Sequence, residues 1–179
     1  MRKVLKALSA GLVFCLLTTS ALADISVGVE VPLSYQFKDA DDGSSLEADG
    51  LPSGFILLAG VPFFSGGVGL ESYEIKLDQV GSHKIGLLMV DAFYVLPVPI
   101  INIALGVGIG NVEVGGDNAS FYETTICSQY FVRLGVPIGP LFEIIGSFHN
   151  VFAKVKSSEN DSLLEAGGIM TTIGAAFSF

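Results

Sequence analysis

The chain has 179 residues, enough for one domain. Half of them are hydrophobic and only 15% are charged, against roughly 25% in soluble domains, and the mean hydropathy of +0.63 is high for a water-soluble protein. Acidic residues outnumber basic ones by 18 to nine, which excludes binding to nucleic acid through its phosphates.

Residues 1–23 have the layout of a secretory signal: a basic start (Arg2, Lys3, Lys6), the apolar stretch "ALSAGLVFCLL", and "ALA" (Ala21 to Ala23) as a small-residue cleavage site before Asp24. The competing reading, a retained anchor, fits the small-x-small ending less well. Phe14 in front of Cys15 is too bulky for lipoprotein processing, so no lipid anchor is expected. Cleavage would leave residues 24–179 as one domain with six basic residues against 18 acidic. Its one cysteine, Cys127, excludes an intrachain disulfide.

From Ile25 the chain alternates. Ile25, Val27, Val29, Val31, Leu33, Tyr35 and Phe37 share one face of the first expected strand; Ser26, Gly28, Glu30, Pro32, Ser34, Gln36 and Lys38 share the other. This period of two marks a strand with one apolar and one polar face. It outlasts a soluble strand of about 5–6 residues and suffices to cross a bilayer at a tilt, which takes about 9–11. Pro32 has no N–H for the ladder, so a bulge or local distortion is expected there. Further strands are expected over about 53–61, 67–77, 85–96, 101–112, 122–136 and 141–155. In the third, Glu71 breaks the phase, which suggests a bulge. In the fourth, Asp91 alone shows which face looks inward. The fifth is regular: Ile101, Ile103, Leu105, Val107 and Ile109 oppose Asn102, Ala104, Gly106, Gly108 and Gly110. The eighth strand, 169–179, places Ile169, Thr171, Ile173, Ala175, Phe177 and Phe179 on one face, and Thr172, Gly174, Ala176 and Ser178 on the other. Phe179 is then the last outward residue, where an interfacial girdle takes an aromatic ring.

The connections alternate too. "DADDGSSLEADG", "DQVGSHK", "EVGGDNASF" and "KSSENDS" are longer and acidic, whereas "PFFSGG", "PVPI" and "PIGP" are short and uncharged. Long polar loops at one end and short turns at the other organise an outer-membrane barrel, and an even strand number puts both termini at the short-turn end, the periplasm. A spanning helix over Ala92 to Gly110 competes, but Pro97 and Pro99 would break it. A soluble lipocalin-like barrel would carry a polar exterior, which the terminal phenylalanine contradicts.

The signal segment, eight alternating strands and the final "AAFSF" together resemble the small bacterial outer-membrane barrels, the group that includes the OmpA transmembrane domain and OmpX. The resemblance is one of pattern and spans residues 24–179. It implies an all-β, eight-stranded, antiparallel, up-and-down transmembrane barrel in the outer membrane of a Gram-negative cell, bathed in outer-membrane lipid and lipopolysaccharide. It also implies that Phe177 and Phe179 form a signal read by the barrel-assembly machinery. Some members of the group modify lipid A. The deacylase kind carries a His and a Ser two residues apart on the outer wall; here His149 is followed by Val151 at the serine position. The palmitoyltransferase kind needs a loop His with Asp-Ser, which His83, Asp161 and Ser162 match only as common loop residues.

An eight-stranded barrel is filled by its own side chains, so no open pore is expected. The inward set should comprise Glu30, Gln36, Glu74, Glu123, Gln129, Arg133, Glu143 and His149, forming a polar network because buried charges must pair. With a three-residue loop at "PIGP", Arg133 would face Glu143 and Cys127 would face His149. The polar faces of the two strands match only if that loop is odd. A Cys beside a His is the pattern of an activated nucleophile, although no third member is visible. Pro32 also suggests a weak seam admitting lipid or a small apolar ligand sideways, and the glycine row Gly106, Gly108 and Gly110 would leave lumen space for it. In the first long loop, Asp39, Asp41, Asp42, Glu47 and Asp49 resemble a calcium loop only loosely, since Gly43 comes one position early. They read first as a solvated acidic loop and second as a weak divalent-cation site. The expected function is a non-enzymatic structural or surface-interaction role, with surface partners reached through the acidic loops and no cofactor. The alternatives are a narrow or gated route for a small solute and a lipid A-modifying enzyme.

Overall fold

The computed structural model describes residues 25–39, 46–61, 65–77, 83–96, 98, 100–116, 121–158 and 163–179. The expected signal segment 1–23 lies outside the described residues. Ten strands form among the described residues: β1 (Ser26–Phe37), β2 (Ser53–Val61), β3 (Gly66–Lys76), β4 (Lys84–Leu96), β5 (Asn102–Gly115), β6 (Thr125–Pro137), β7 (Phe142–Phe152), β8 (Lys154–Lys156), β9 (Leu163–Glu165) and β10 (Gly168–Ser178). Eight of them close an antiparallel barrel in the order β1-β10-β7-β6-β5-β4-β3-β2, each beside its chain neighbour. Among the described residues β8 and β9 pair only with each other. Within the stretch from Ala92 to Gly110 the described residues form the end of β4 and most of β5, so the helical reading fails.

The period of two decides which way each side chain points. Val27, Val29 and Val31 of β1, Leu105, Val107 and Ile109 of β5, and Ile169, Ile173 and Phe177 of β10 lie on the exposed outer wall. Ile85, Leu87 and Met89 of β4 and Cys127, Gln129, Phe131 and Arg133 of β6 are buried inside. The barrel is thus apolar outside, as a lipid-facing wall requires, and mixed inside.

Four expectations change. In β1 the register slips between Pro32 and Ser34, so Leu33 is an extra residue. The irregularity expected at Pro32 is present, and it inverts the phase above it: Tyr35 and Phe37 are buried while Gln36 is exposed. In β3 there is no bulge at Glu71. The ladders on both sides run unbroken, Ile56 to Glu71 to Met89, and Glu71 points inward with Tyr73 and Ile75. The seventh expected strand stops at Phe152. The chain leaves the wall at Ala153, and β8 turns back as a hairpin with β9, held by Ala166 N–H donating to Ala153 O at 2.9 Å. Gly167 permits this close return, since a Cβ there would sit 2.8 Å from Val151 O. Finally, the β6–β7 register pairs Arg133 with Ser147 and Pro137 with Glu143. The turn is centred on Pro140 rather than Ile138, because Gly139 takes the left-handed conformation (φ +81°) and Ile138 N–H closes on Phe142 O at 2.7 Å. A four-residue shift preserves the parity of the faces and changes every partner.

Candidate functional site

The lumen divides into a charged lower half and an apolar upper half. The lower half is centred on Glu30 of β1, fully buried. Arg133 Nε donates to Glu30 Oε1 at 2.5 Å, Ser147 Oγ donates to Oε2 at 2.7 Å, and Thr172 Oγ1 donates to the same oxygen. Register explains the convergence. Arg133, Ser147, Thr172 and Pro32 lie on one cross-strand row over β6, β7, β10 and β1, which places three donors around the carboxylate next along β1. Arg133 also stands 4.7 Å from the Phe93 ring centroid and 5.2 Å from that of Phe131, within cation–π range.

A second group adjoins it. Gln129 Nε2 donates to Asp91 Oδ1 at 2.8 Å, and Gln129 Oε1 lies 3.1 Å from His149 Nδ1. Glu71 Oε1 is 3.3 Å from the same His149 nitrogen. Asp91 and Gln129 are both register partners of Gly108, and they meet over it: a Cβ at Gly108 would lie 2.0 Å from Asp91 Oδ1 and 2.9 Å from Gln129 Cγ. At Gly106 the occupant is Phe131, whose Cζ would be 2.1 Å from an added Cβ, and His149 stacks on that ring at 4.8 Å. Side chains therefore take up the space at Gly106 and Gly108, and at Gly110 a Cβ would meet the backbone of Leu88 and Met89, so the glycine row leaves none of the lumen space that the sequence suggested. Glu71 Oε2, Asp91 Oδ2, His149 Nε2 and Arg133 Nη2 are buried without a hydrogen-bond partner. Buried polar groups of this kind are the ones that hold ordered water.

Above this network Tyr35, Phe37, Tyr73, Ile75, Val112 and Met170 form one apolar cluster with Val155 and Ala166 of the β8–β9 segment. Val155 and Ala166 are fully buried, and Tyr35 donates its hydroxyl to Ala166 O at 2.8 Å. The hairpin thereby closes the loop end of the lumen.

Of the residues expected inside, Glu30, Gln129, Arg133 and His149 come together. Arg133 pairs with Glu30, not Glu143, and the shifted register is the cause. Glu143 is half-buried near the turn end and accepts a hydrogen bond from Asn102 Nδ2 at 2.8 Å. Cys127 is buried but does not face His149, whose β6 partner is Phe131. Gln36 points outward because of the bulge, Glu74 is exposed and pairs with Lys84 at 3.2 Å, and Glu123 is exposed ahead of β6. Glu71 was missed as an inward residue, though the Glu71, Tyr73, Ile75 spacing was the available signal. Ser147 was missed too, and its position beside His149 on the polar phase could have shown it. His149 is inside the lumen, not on the outer wall where the deacylase kind carries its His. Asp161 and Ser162 lie outside the described residues. So do Asp41 and Asp42, while Asp39 and Glu47 are exposed. No group of three or more His, Cys, Asp or Glu is placed to hold a metal ion among the described residues. Phe177 and Phe179 are exposed with ring centroids 5.9 Å apart, and Phe179 N–H donates to Ile25 O at 3.0 Å across the β10–β1 closure.

Among the described residues the wall has a seam between β1 and β2. The β1–β2 ladder ends at Glu30 and Ile56, and above it β1 has no β2 partner among the described residues. Continuing the register would set Pro32, with no N–H, opposite Gly54. Gly54 lies so close on β3 that a Cβ would come 2.2 Å from Ser72 O. β2 thus leans onto β3, and residues 46–49 follow it there through the Ala48–Leu77 bridge and Asp49 N–H to Lys76 O at 2.9 Å. A cavity of about 440 Å³ opens between β1 and this segment, lined by Leu33–Phe37, Asp39, Leu46–Ala48, Gly50 and Leu51.

No known family model matches the chain, and no curated protein matches it by sequence. Solved structures do match in shape. Neisserial surface protein A superposes with a TM-score of 0.61 at 13% identity, over 87% of this chain and 97% of that one. Outer membrane protein OprG from Pseudomonas aeruginosa gives 0.55 at 11% identity, over 88% and 96%. E. coli outer membrane protein W gives 0.54 at 12% identity, over 85% and 97%. At such identities the likeness is one of architecture, and it agrees with the closed eight-stranded ring, apolar outside and filled inside: the chain has the fold of the small eight-stranded outer-membrane β-barrels.

Proposed function

We propose that the protein is a non-conducting barrel of the bacterial outer membrane with a structural or surface-interaction role. Its polar, acidic loops face outward, and its proline turns and termini face the periplasm. The observation that carries this reading is the Glu30–Arg133 network, which crosses the lumen from β1 to β6 and supports an interior without an ion path. With the interior occupied, the surfaces left to act are the lipid-facing wall, in contact with outer-membrane lipid and lipopolysaccharide, and the loop end. The outward Phe177 and Phe179 fit a role as the mark read by the barrel-assembly machinery.

Planar-bilayer recording on the refolded protein tests the reading. It should show no discrete current steps. Reproducible unit steps would replace it with a narrow or gated route for a small solute, and a changed lipid A mass spectrum on expression would replace it with lipid modification.

A further inference from the structure

Above Glu30 the β1 edge facing β2 has no partner strand among the described residues. Lys38 N–H donates to Gly167 O at 2.9 Å, and Gln36 is the register partner of Ile169. Backbone groups of successive strand residues point to alternate sides. Lys38, Gln36 and Ser34 therefore bond toward β10, while Tyr35, Phe37 and Asp39 turn their N–H and C=O groups toward the seam. No described strand meets them there: β2 has left for β3, and residues 46–49 have followed it. An edge of this kind is a template for another extended chain.

The surroundings set the chemistry of that chain. Leu33 and Leu51, both exposed, border the cavity of about 440 Å³ together with the carboxylate residues Asp39 and Glu47. An acyl chain could cover the leucines but could not satisfy backbone donors and acceptors, nor meet two carboxylates. An extended peptide with alternating apolar and basic residues does all three. Pro32 and the bulged Leu33 end the ladder at the foot of the seam, so the edge is offered only above them, toward the loop end.

We infer that the β1 edge at Tyr35, Phe37 and Asp39 is a strand-addition site for an extended basic segment of a polypeptide partner. The inference rests on the surface-interaction reading and gives it a location and a partner class.

The test uses the full barrel in nanodiscs and an octapeptide of alternating lysine and valine. Its control is the same peptide N-methylated at every residue, which keeps the charges and removes the backbone donors. Amide hydrogen exchange at Tyr35 and Phe37 should slow at least tenfold with the peptide and stay unchanged with the N-methylated control. The double variant D39K/E47K changes two exposed side chains, so the barrel should still fold. It should weaken peptide binding at least tenfold. Four results would overturn the inference: exchange at both amides already slow in the free protein, no slowing with the peptide, equal binding of the N-methylated control, or slowing by lipopolysaccharide alone, which would give the seam to an acyl chain. Current steps in the bilayer assay would remove the non-conducting reading without touching these amides, so the two failures are distinguishable.

Discussion

Arg133 of β6 and Glu30 of β1 meet across the lumen at 2.5 Å, three strands apart around the wall, with both side chains withdrawn from solvent. A charge pair placed so deep cannot lose one member cheaply, because the other is left uncompensated.

Glu30→Gln or Arg133→Met should therefore each cost about 3–5 kcal/mol in urea unfolding from lipid. The double variant should cost less than the sum. Glu143→Gln, at a half-buried carboxylate that meets Asn102 instead, should cost about 1 kcal/mol or less. Equal losses at Glu30 and Glu143 would assign the guanidinium to the wrong partner.

Gly106→Ala should destabilise through crowding. Its Cβ would fall 2.1 Å from Phe131 Cζ, at the far end of a fully buried ring, and such overpacking costs about 1–3 kcal/mol. In a Phe131→Ala background the same change should be nearly neutral. An equal penalty with and without the ring would show that Phe131 does not lie over the glycine.

The outer wall can be mapped by depth. Ile173→Arg, on the exposed face of β10, should cost about 2–4 kcal/mol in lipid, and Phe179→Arg at the strand end nearer 0–1 kcal/mol. Gly174→Arg should fail for a different reason, since even a Cβ there would lie 2.0 Å from Val29 O. A neutral Ile173→Arg would mean that the outward face of β10 is misassigned.

The alternation of Val27, Val29 and Val31 against Gly28 and Glu30 is legible because lipid outside and a filled interior impose a period of two. It is also why the inward placement of Glu30, Gln129, Arg133 and His149 could be read. Above Pro32 the same alternation misleads, because one bulged residue, Leu33, inverts the phase while the pattern of residue types continues unchanged. Register was legible only in parity. An odd loop between β6 and β7 was required, yet nothing short of the Gly139 backbone says where that loop is centred, and so Arg133 was given Glu143 instead of Ser147 as its cross-strand neighbour. The departure of β8 was hidden for a related reason: Val151, Ala153 and Val155 keep one buried phase through the break. Their burial is supplied first by the wall and then by the hairpin above it.

The lumen is filled from its charged floor to its hairpin cover, and Cys127 reports on it without mutation. Its thiol lies inside the barrel and is 1% exposed. A small charged methanethiosulfonate reagent should leave Cys127 unlabelled in the folded barrel and label it fully after unfolding in urea. Labelling of the folded barrel at the rate of an exposed thiol would show a water-filled lumen and contradict the account.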